Sequence, residues 1–163
     1  SRQARGRPIN NILPLSEGES ISSFVVVNSF DDGYLFMSTR LGMINKIPIS
    51  LFKKIRATGL KAIVLKENDE VLGAHYVKTN DNIMLVADNG KVIRFNESDV
   101  RERFRGTLGV KGISLGKDNK LTSILKPLTG DIVTATENGY GNRVSVENYN
   151  VQKRGGVLSL IHI

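Results

Sequence analysis

With 163 residues, 40% of them hydrophobic and 24% charged, the chain can bury a sizeable core, which excludes a disordered tail. Lys and Arg (23) outnumber Asp and Glu (16), and the resulting +7 favours polyanionic partners, nucleic acid or an anionic membrane surface. Cysteine is absent, which excludes a disulfide framework and thiolate metal sites and fits a reducing cytoplasm. No apolar stretch is long enough to span a bilayer and no signal peptide opens the chain, so a soluble, non-exported protein without a membrane partner is expected.

The chain opens at Ser1 inside a basic segment, Arg2-Gln3-Ala4-Arg5-Gly6-Arg7, and stops at Ile163 in what reads as the start of a strand, so a piece of a longer protein is expected. A turn, Ser16-Glu17-Gly18-Glu19, precedes an extended run from Ile21 to Val27. From Tyr34 onward a module appears three times: an apolar run, a turn ending in glycine, and a basic residue four positions later. The copies are 34–46, 83–94 and 132–143, and their turn glycines, Gly42, Gly90 and Gly139, stand 48 and 49 residues apart. A fixed period in this range marks a repeat architecture, and a hairpin as the unit points to propeller-like blades.

Asn89-Gly90 and Asn138-Gly139 predict two-residue type I′ turns, which need positive φ at both central residues, and Leu41-Gly42 occupies the same place with a weaker signal. After each glycine the fifth residue is apolar (Ile47, Phe95, Val144) and the fourth basic (Lys46, Arg94, Arg143). Strand alternation sends the first to the core and the second outward.

Each hairpin runs into a short helical turn, at 48–52, 96–100 and 145–149. A basic cluster follows: Lys53, Lys54 and Arg56; then Arg101, Arg103 and Arg105; then Lys153 and Arg154. A glycine strand comes next, at Gly59 to Ile63, Gly109 to Ile113 and Gly155 to Val157. Arg5-Gly6-Arg7-Pro8-Ile9 reads as the end of a preceding copy. A second turn, at 67–70 and 117–120, leads to one further strand, Val71 to Val77 and Leu121 to Leu125. One period thus holds four strands, the content of a propeller blade, and no long helix is expected. Acidic residues gather in two of the three such turns, at 16–19 and 67–70, so one rim of such a ring is expected to be more positive than another.

Catalytic chemistry finds little support. His75 lies in an alternating strand and His162 in the terminal tail, and a lone strand histidine is usually a satisfied structural residue. Gly139-Tyr140-Gly141 imitates part of a dinucleotide motif but no helix follows it, and no Gly-x-Ser-x-Gly elbow is present. The cations are different because Arg7, Lys61 and Lys111 on one hand and Lys46, Arg94 and Arg143 on the other recur in register. Lined along a curved edge they suit a duplex backbone, which carries a charge about every 1.7 Å of axis. With 6% aromatic residues and no tryptophan, stacking platforms for single strands are not evident, so duplex DNA held through its backbone is expected.

The segments Ala4 to Leu15, Tyr34 to Met37, Asn82 to Leu85, Arg94-Phe95, Gly109 to Ile113 and Thr136 to Gly141 together resemble the C-terminal domain of the bacterial DNA gyrase A protein, over nearly all of residues 1–156. The resemblance implies an all-β, propeller-like β-pinwheel with an incomplete ring here: the end of one blade at 1–30, blades at 31–80 and 81–129, and part of a fourth at 130–156. It implies a non-catalytic piece of an ATP-dependent type II topoisomerase that wraps duplex DNA on a basic edge and introduces negative supercoils. ATP and Mg²⁺ would serve other domains or subunits, and the partners implied are the gyrase A cleavage domain and gyrase B in a heterotetramer. Expected phosphate contacts are Arg5, Arg7, Lys46, Lys61, Arg94, Lys111 and Arg143, helped by Lys53, Lys54, Arg56, Arg101, Arg103, Arg105, Lys153 and Arg154. The family's box, Gln-Arg-Arg-Gly-Gly-Lys-Gly, would lie upstream of Ser1. Gln152 to Gly156 matches the start of a later copy, after which the tail 157–163 departs from the pattern. The family's catalytic tyrosine follows an arginine, and none of Tyr34, Tyr76, Tyr140 or Tyr149 does. The A-type subunit of topoisomerase IV and a propeller-like interaction scaffold are the alternatives.

Overall fold

The computed structural model describes residues 6–56 and 58–156 and the backbone of Ser159–Leu160. Arg5, His162 and most of the tail 157–163 lie outside the described residues. The strands are β1 (Tyr34–Thr39), β2 (Met43–Pro48), β3 (Ile63–Val64), β4 (Val71–Val77), β5 (Asn82–Ala87), β6 (Lys91–Asn96), β7 (Thr107–Leu108), β8 (Val110–Lys111), β9 (Leu121–Leu125), β10 (Asp131–Ala135), β11 (Gly141–Ser145) and β12 (Ser159–Leu160). Helix is limited, among the described residues, to 3₁₀ turns of three or four residues, three of which follow the hairpins at Ile49–Phe52, Glu97–Asp99 and Val146–Asn148. Asn96 and Ser145 cap two of them, each accepting a backbone N–H with its side-chain oxygen.

The all-β reading holds, with one correction to how strands are shared. The sheets run β4-β1-β2-β8 and β9-β5-β6-β12, while β10 and β11 form a hairpin of their own. Three strands of each four-stranded sheet come from one period and the fourth from the next: β8 pairs with β2, Ile44 opposite Val110, and β12 pairs with β6. The glycine strand therefore closes the sheet of the preceding unit. Its glycines permit the approach: a Cβ on Gly109 would lie 2.6 Å from the Ile44 carbonyl oxygen, and one on Gly112 would lie 2.6 Å from Ile44 Cγ2. Another contribution crosses the same junction, a short parallel pairing of β3 with β7.

The run from Ile21 to Val27 forms no strand, contrary to expectation, although its burial alternates, with Ser23, Val25 and Val27 half-buried and Phe24 and Val26 exposed. Its counterparts β4 and β9 each join a hairpin that precedes them in sequence, β1 and β5 respectively. No hairpin precedes 21–27 among the described residues, so the pattern has no ladder to join.

The main core lies between the two large sheets. Phe36, Ile44 and Val77 of the first meet Ile83, Leu85, Ile93, Phe95, Leu121 and Ile124 of the second, and the Phe36 and Phe95 rings sit 6.2 Å apart, tilted by 46°. At the usual 1.5–3 kcal/mol for each fully buried large apolar side chain, this junction is the main source of stability and fuses the two units. A smaller cluster of Met84, Val92 and Tyr149, backed by Ile132 and Val144, joins the second unit to the third.

The hairpin turns differ from the type I′ geometry expected. Gly42, Gly90 and Gly139 have φ of +80°, +74° and +84°, but neither Asn89 nor Asn138 has positive φ. In each turn the glycine N–H donates to the residue three positions back, Thr39, Ala87 or Thr136. Only the last turn residue is left-handed, so Leu41-Gly42 serves as well as Asn-Gly. A Cβ at Gly90 would meet nothing within 4 Å, so Gly90→Ala isolates the backbone term and should cost about 1–2 kcal/mol in urea unfolding. Asn89→Ala should cost under about 1 kcal/mol, because it removes only the exposed Asn89 Oδ1 acceptor for the Lys91 N–H. Equal costs at both positions would restore the two-residue turn.

Candidate nucleic-acid interface

Sequence reasoning sends the fourth residue after each turn glycine outward, and the structure corrects this for two of the three. Lys46 is only 6% exposed. Its Nζ reaches the next unit, 2.5 Å from Glu97 Oε2 and 3.2 Å from the Glu97 carbonyl oxygen, and lies 4.5 Å from the centre of the Tyr34 ring. Glu97 is itself 2% exposed, and its other oxygen accepts the Asn80 N–H. Arg94, the counterpart in the second unit, is half-buried, and its Nη1 donates to the Val146 and Tyr149 carbonyls at 2.9 and 3.2 Å. Val146 opens the third 3₁₀ turn as Glu97 opens the second.

Both side chains therefore enter the following unit at the same place, the first carbonyl of its 3₁₀ turn. The backbone repeats the pattern: the Lys46 carbonyl accepts the Arg103 N–H, the Arg94 carbonyl accepts the Gln152 N–H, and Gly106 and Gly155 donate to Ala62 and Gly112. The physical reason the outward assignment fails is that β2 and β6 have no solvent face. Ile44 and Ile47 in β2, and Val92, Ile93 and Phe95 in β6, are buried on both parities. Arg143, in the thinner third hairpin, is exposed, and its Nε lies 2.5 Å from Asp131 Oδ2 on the neighbouring strand.

The other cations lie on the surface. Arg7, Lys54, Arg56, Lys61, Arg101, Arg105, Lys111 and Lys153 are exposed. None of these side chains has an ion-pair or hydrogen-bond partner among the described residues. Lys53 is exposed but pairs with Asp31 at 3.0 Å; that hydrogen bond, with one from Ser29, holds the Asp31 carboxyl below its usual range. Arg103 commits Nη1 to the Leu108 carbonyl, and Arg154 bonds the Asp99 and Lys111 carbonyls. Five of the open cations, Lys54, Arg56, Arg101, Arg105 and Lys153, lie in the loops between a 3₁₀ turn and its glycine strand, and Lys61 and Lys111 lie in the glycine-strand segments themselves.

Several of the remaining ionisable groups have structural partners. His75 Nε2 in β4 lies 3.0 Å from the Ile124 carbonyl in β9, the edge strand of the neighbouring sheet. In the second turn at 67–70 Asp69 Oδ1 accepts the Leu41 and Glu70 N–H groups, and in the hairpin turn between β5 and β6 Asp88 Oδ2 accepts the N–H of Lys120. Glu97, the partner that fixes Lys46, is not found by sequence reasoning because it lies 51 residues away in a stretch that reads as polar.

Hairpins repeated at a fixed period, with each four-stranded sheet completed by a strand of the next unit, define a β-repeat protein of the propeller class, in the pinwheel variant. The chain belongs to the family described as DNA gyrase C-terminal domain, beta-propeller, whose model matches residues 1–28, 33–78, 81–127 and 130–159. It is 42% identical to the DNA gyrase A protein of Escherichia coli K12, over 98% of this chain and 19% of that protein, and 36% identical to that of Neisseria gonorrhoeae, over 95% and 22%. The chain thus spans about a fifth of the length of these relatives. Among solved structures it resembles the C-terminal domain of DNA topoisomerase IV (TM-score 0.87, 29% identity, 96% of this chain and 50% of that one). It also resembles the DNA gyrase A C-terminal domain (0.82, 28%, 94% and 52%).

The seam makes a prediction of its own. Lys46→Met leaves Glu97 buried with its charge unmatched and should destabilise the chain by roughly 3–5 kcal/mol in denaturant unfolding. Pairing it with Glu97→Val, the aliphatic choice made at Val146, should recover most of that loss. A negligible effect of the single variant would show that the pair does not hold the units together.

Proposed function

We propose that this chain is a DNA-binding part of a gyrase A protein that holds duplex DNA on its exposed cationic loops. The observation that carries the reading is that the basic loop recurs after each 3₁₀ turn with its side chains open to solvent. The contacts are Arg7, Lys54, Arg56, Lys61, Arg101, Arg105, Lys111 and Lys153, with lesser parts for Lys53, Arg103, Arg143 and Arg154, which share their charge with protein groups. Lys46 and Arg94 leave the contact set, because each is committed to the neighbouring unit.

None of these groups is arranged to read base edges, so the binding is to backbone and independent of sequence in its main term. On a curved set of loops the duplex bends, which lets a wrapped segment be presented with one handedness to a cleavage domain. The ATP-dependent introduction of negative supercoils then belongs to the assembled enzyme, with the gyrase A cleavage domain and gyrase B as partners in the cytoplasm, and with ATP and Mg²⁺ held elsewhere. The likeness to the topoisomerase IV domain supports the A-type subunit of that enzyme as a second reading. The coding sequence upstream of Ser1 separates the two by the presence of the Gln-Arg-Arg-Gly-Gly-Lys-Gly box.

If about seven phosphates are neutralised, log Kobs should fall against log salt with a slope near −6. Replacing Lys54, Lys61, Arg101 and Lys111 with Gln should weaken duplex binding by more than tenfold at about 0.1 M salt and make the slope shallower by roughly 3–4. Relaxed plasmid ligated in the presence of the chain should change linking number. Unaltered affinity and slope in the quadruple variant, or binding of an acidic polypeptide in place of duplex, would overturn the reading in favour of a scaffold.

A further inference from the structure

Several of the large apolar side chains left in solvent among the described residues sit where a sheet is short of strands. Phe24 and Val26 lie on the unpaired run 21–27, and Val133 and Tyr140 on the two-stranded third hairpin. Phe104 is different. It is 75% exposed although its loop is fastened to the complete four-stranded unit before it. It is the fourth residue of Arg101-Glu102-Arg103-Phe104-Arg105, and all five residues are exposed.

The loop that carries it is fastened on every side. The Arg103 N–H donates to the Lys46 carbonyl at 2.8 Å and the Gly106 N–H to the Ala62 carbonyl at 2.7 Å, both in the preceding unit. The Thr107 hydroxyl donates to the carbonyl of Phe104 itself at 2.9 Å, and Arg103 Nη1 braces the Leu108 carbonyl at 3.2 Å. A ring held out on a pinned backbone between two free guanidinium groups is preorganised for a partner that is anionic at its edges and apolar between them. Duplex DNA viewed across its minor groove has that pattern, with phosphate rows on either side and stacked bases within. Proteins that bend DNA commonly insert an apolar side chain there, partly unstacking one step.

We propose that Phe104 is a wedge that enters the minor groove of the bound duplex, with Arg101 and Arg105 on the flanking phosphates, and kinks it at one base step. This rests on the duplex-binding reading above and adds to it a point of localised bending. Pyrimidine–purine steps unstack most readily, so the wedge also introduces a preference for where along the duplex the chain settles.

The test uses this chain with duplexes carrying 2-aminopurine at successive positions, alongside a pair of duplexes with and without a central TA step. The unsubstituted chain should raise 2-aminopurine fluorescence at one step and favour the TA duplex by roughly three- to tenfold. Phe104→Ala should abolish both effects while leaving the salt slope and the thermal midpoint unchanged, and Phe104→Leu should retain part of them. Arg101→Gln with Arg105→Gln should instead make the salt slope shallower by about 2. Duplex binding with a normal salt slope but no fluorescence rise, or a Phe104→Ala chain that keeps the TA preference, overturns the wedge and leaves the duplex reading intact. Tighter binding to single strands, lost in Phe104→Ala, makes the ring a stacking platform and also overturns it. Absence of duplex binding in the unsubstituted chain overturns both.

Discussion

A buried ammonium has to be matched, and in this chain the match for Lys46 lies in the following unit. Desolvating either ion costs several kcal/mol even after relaxation, so the pair stays buried only with good geometry and with its remaining hydrogen-bonding capacity used. Here the ammonium has a carboxylate, a carbonyl and the face of Tyr34, while Glu97 has Lys46 and the Asn80 N–H. Neither half is satisfied within its own unit. The first hairpin is therefore complete only when the second 3₁₀ turn is docked on it, and the swapped strand β8 and the shared core of Phe36 and Phe95 follow the same dependence.

The second seam uses the same position with different chemistry. Where Val146 replaces the carboxylate, the cation is an arginine, whose fork can serve two carbonyls at once, and it takes those of Val146 and Tyr149. The satisfaction is less complete. Arg94 Nε and the Tyr149 hydroxyl are buried without hydrogen-bond partners, and burial raises the pKa of that hydroxyl. With a smaller apolar cluster behind it as well, the second junction is the weaker of the two.

The hairpins, their period and the short 3₁₀ turns were legible because they are local: apolar runs, a glycine that takes positive φ, and capping by Asn96 or Ser145 all act within a few residues. Strand exchange and the cation seam join positions about 50 to 70 residues apart, and no local pattern encodes such a partner. A partial signal was nonetheless present. In Lys91-Val92-Ile93-Arg94-Phe95 the apolar residues occupy both parities, which marks a strand covered on both faces and leaves no outside for Arg94. In Gly141-Asn142-Arg143-Val144-Ser145 a single large apolar residue remains, and there the cation is exposed. Read for parity as well as for register, the sequence separates seam cations from surface cations. The turn is ambiguous for a different reason: Asn-Gly fits two hairpin geometries, and φ at the asparagine decides between them.

Seam and surface are not independent systems. The basic loop of the second unit is tied to the Lys46 carbonyl through Arg103, and that of the third to the Arg94 carbonyl through Gln152, so each loop takes its position from the strand whose side chain is latched below it. Bending a 20–30 bp duplex by 40–90° costs on the order of 1–6 kcal/mol, and a flexible set of loops would yield to the stiffness of the duplex and follow it straight. Loops pinned to the neighbouring unit cannot yield without breaking the seam, and breaking it exposes a buried ion pair and an apolar core. On the proposed duplex-binding reading, the stiffness that would impose curvature therefore resides in Lys46 and Arg94, which lie outside the proposed contact set, while the exposed cations would set only how tightly a duplex is held against that curve.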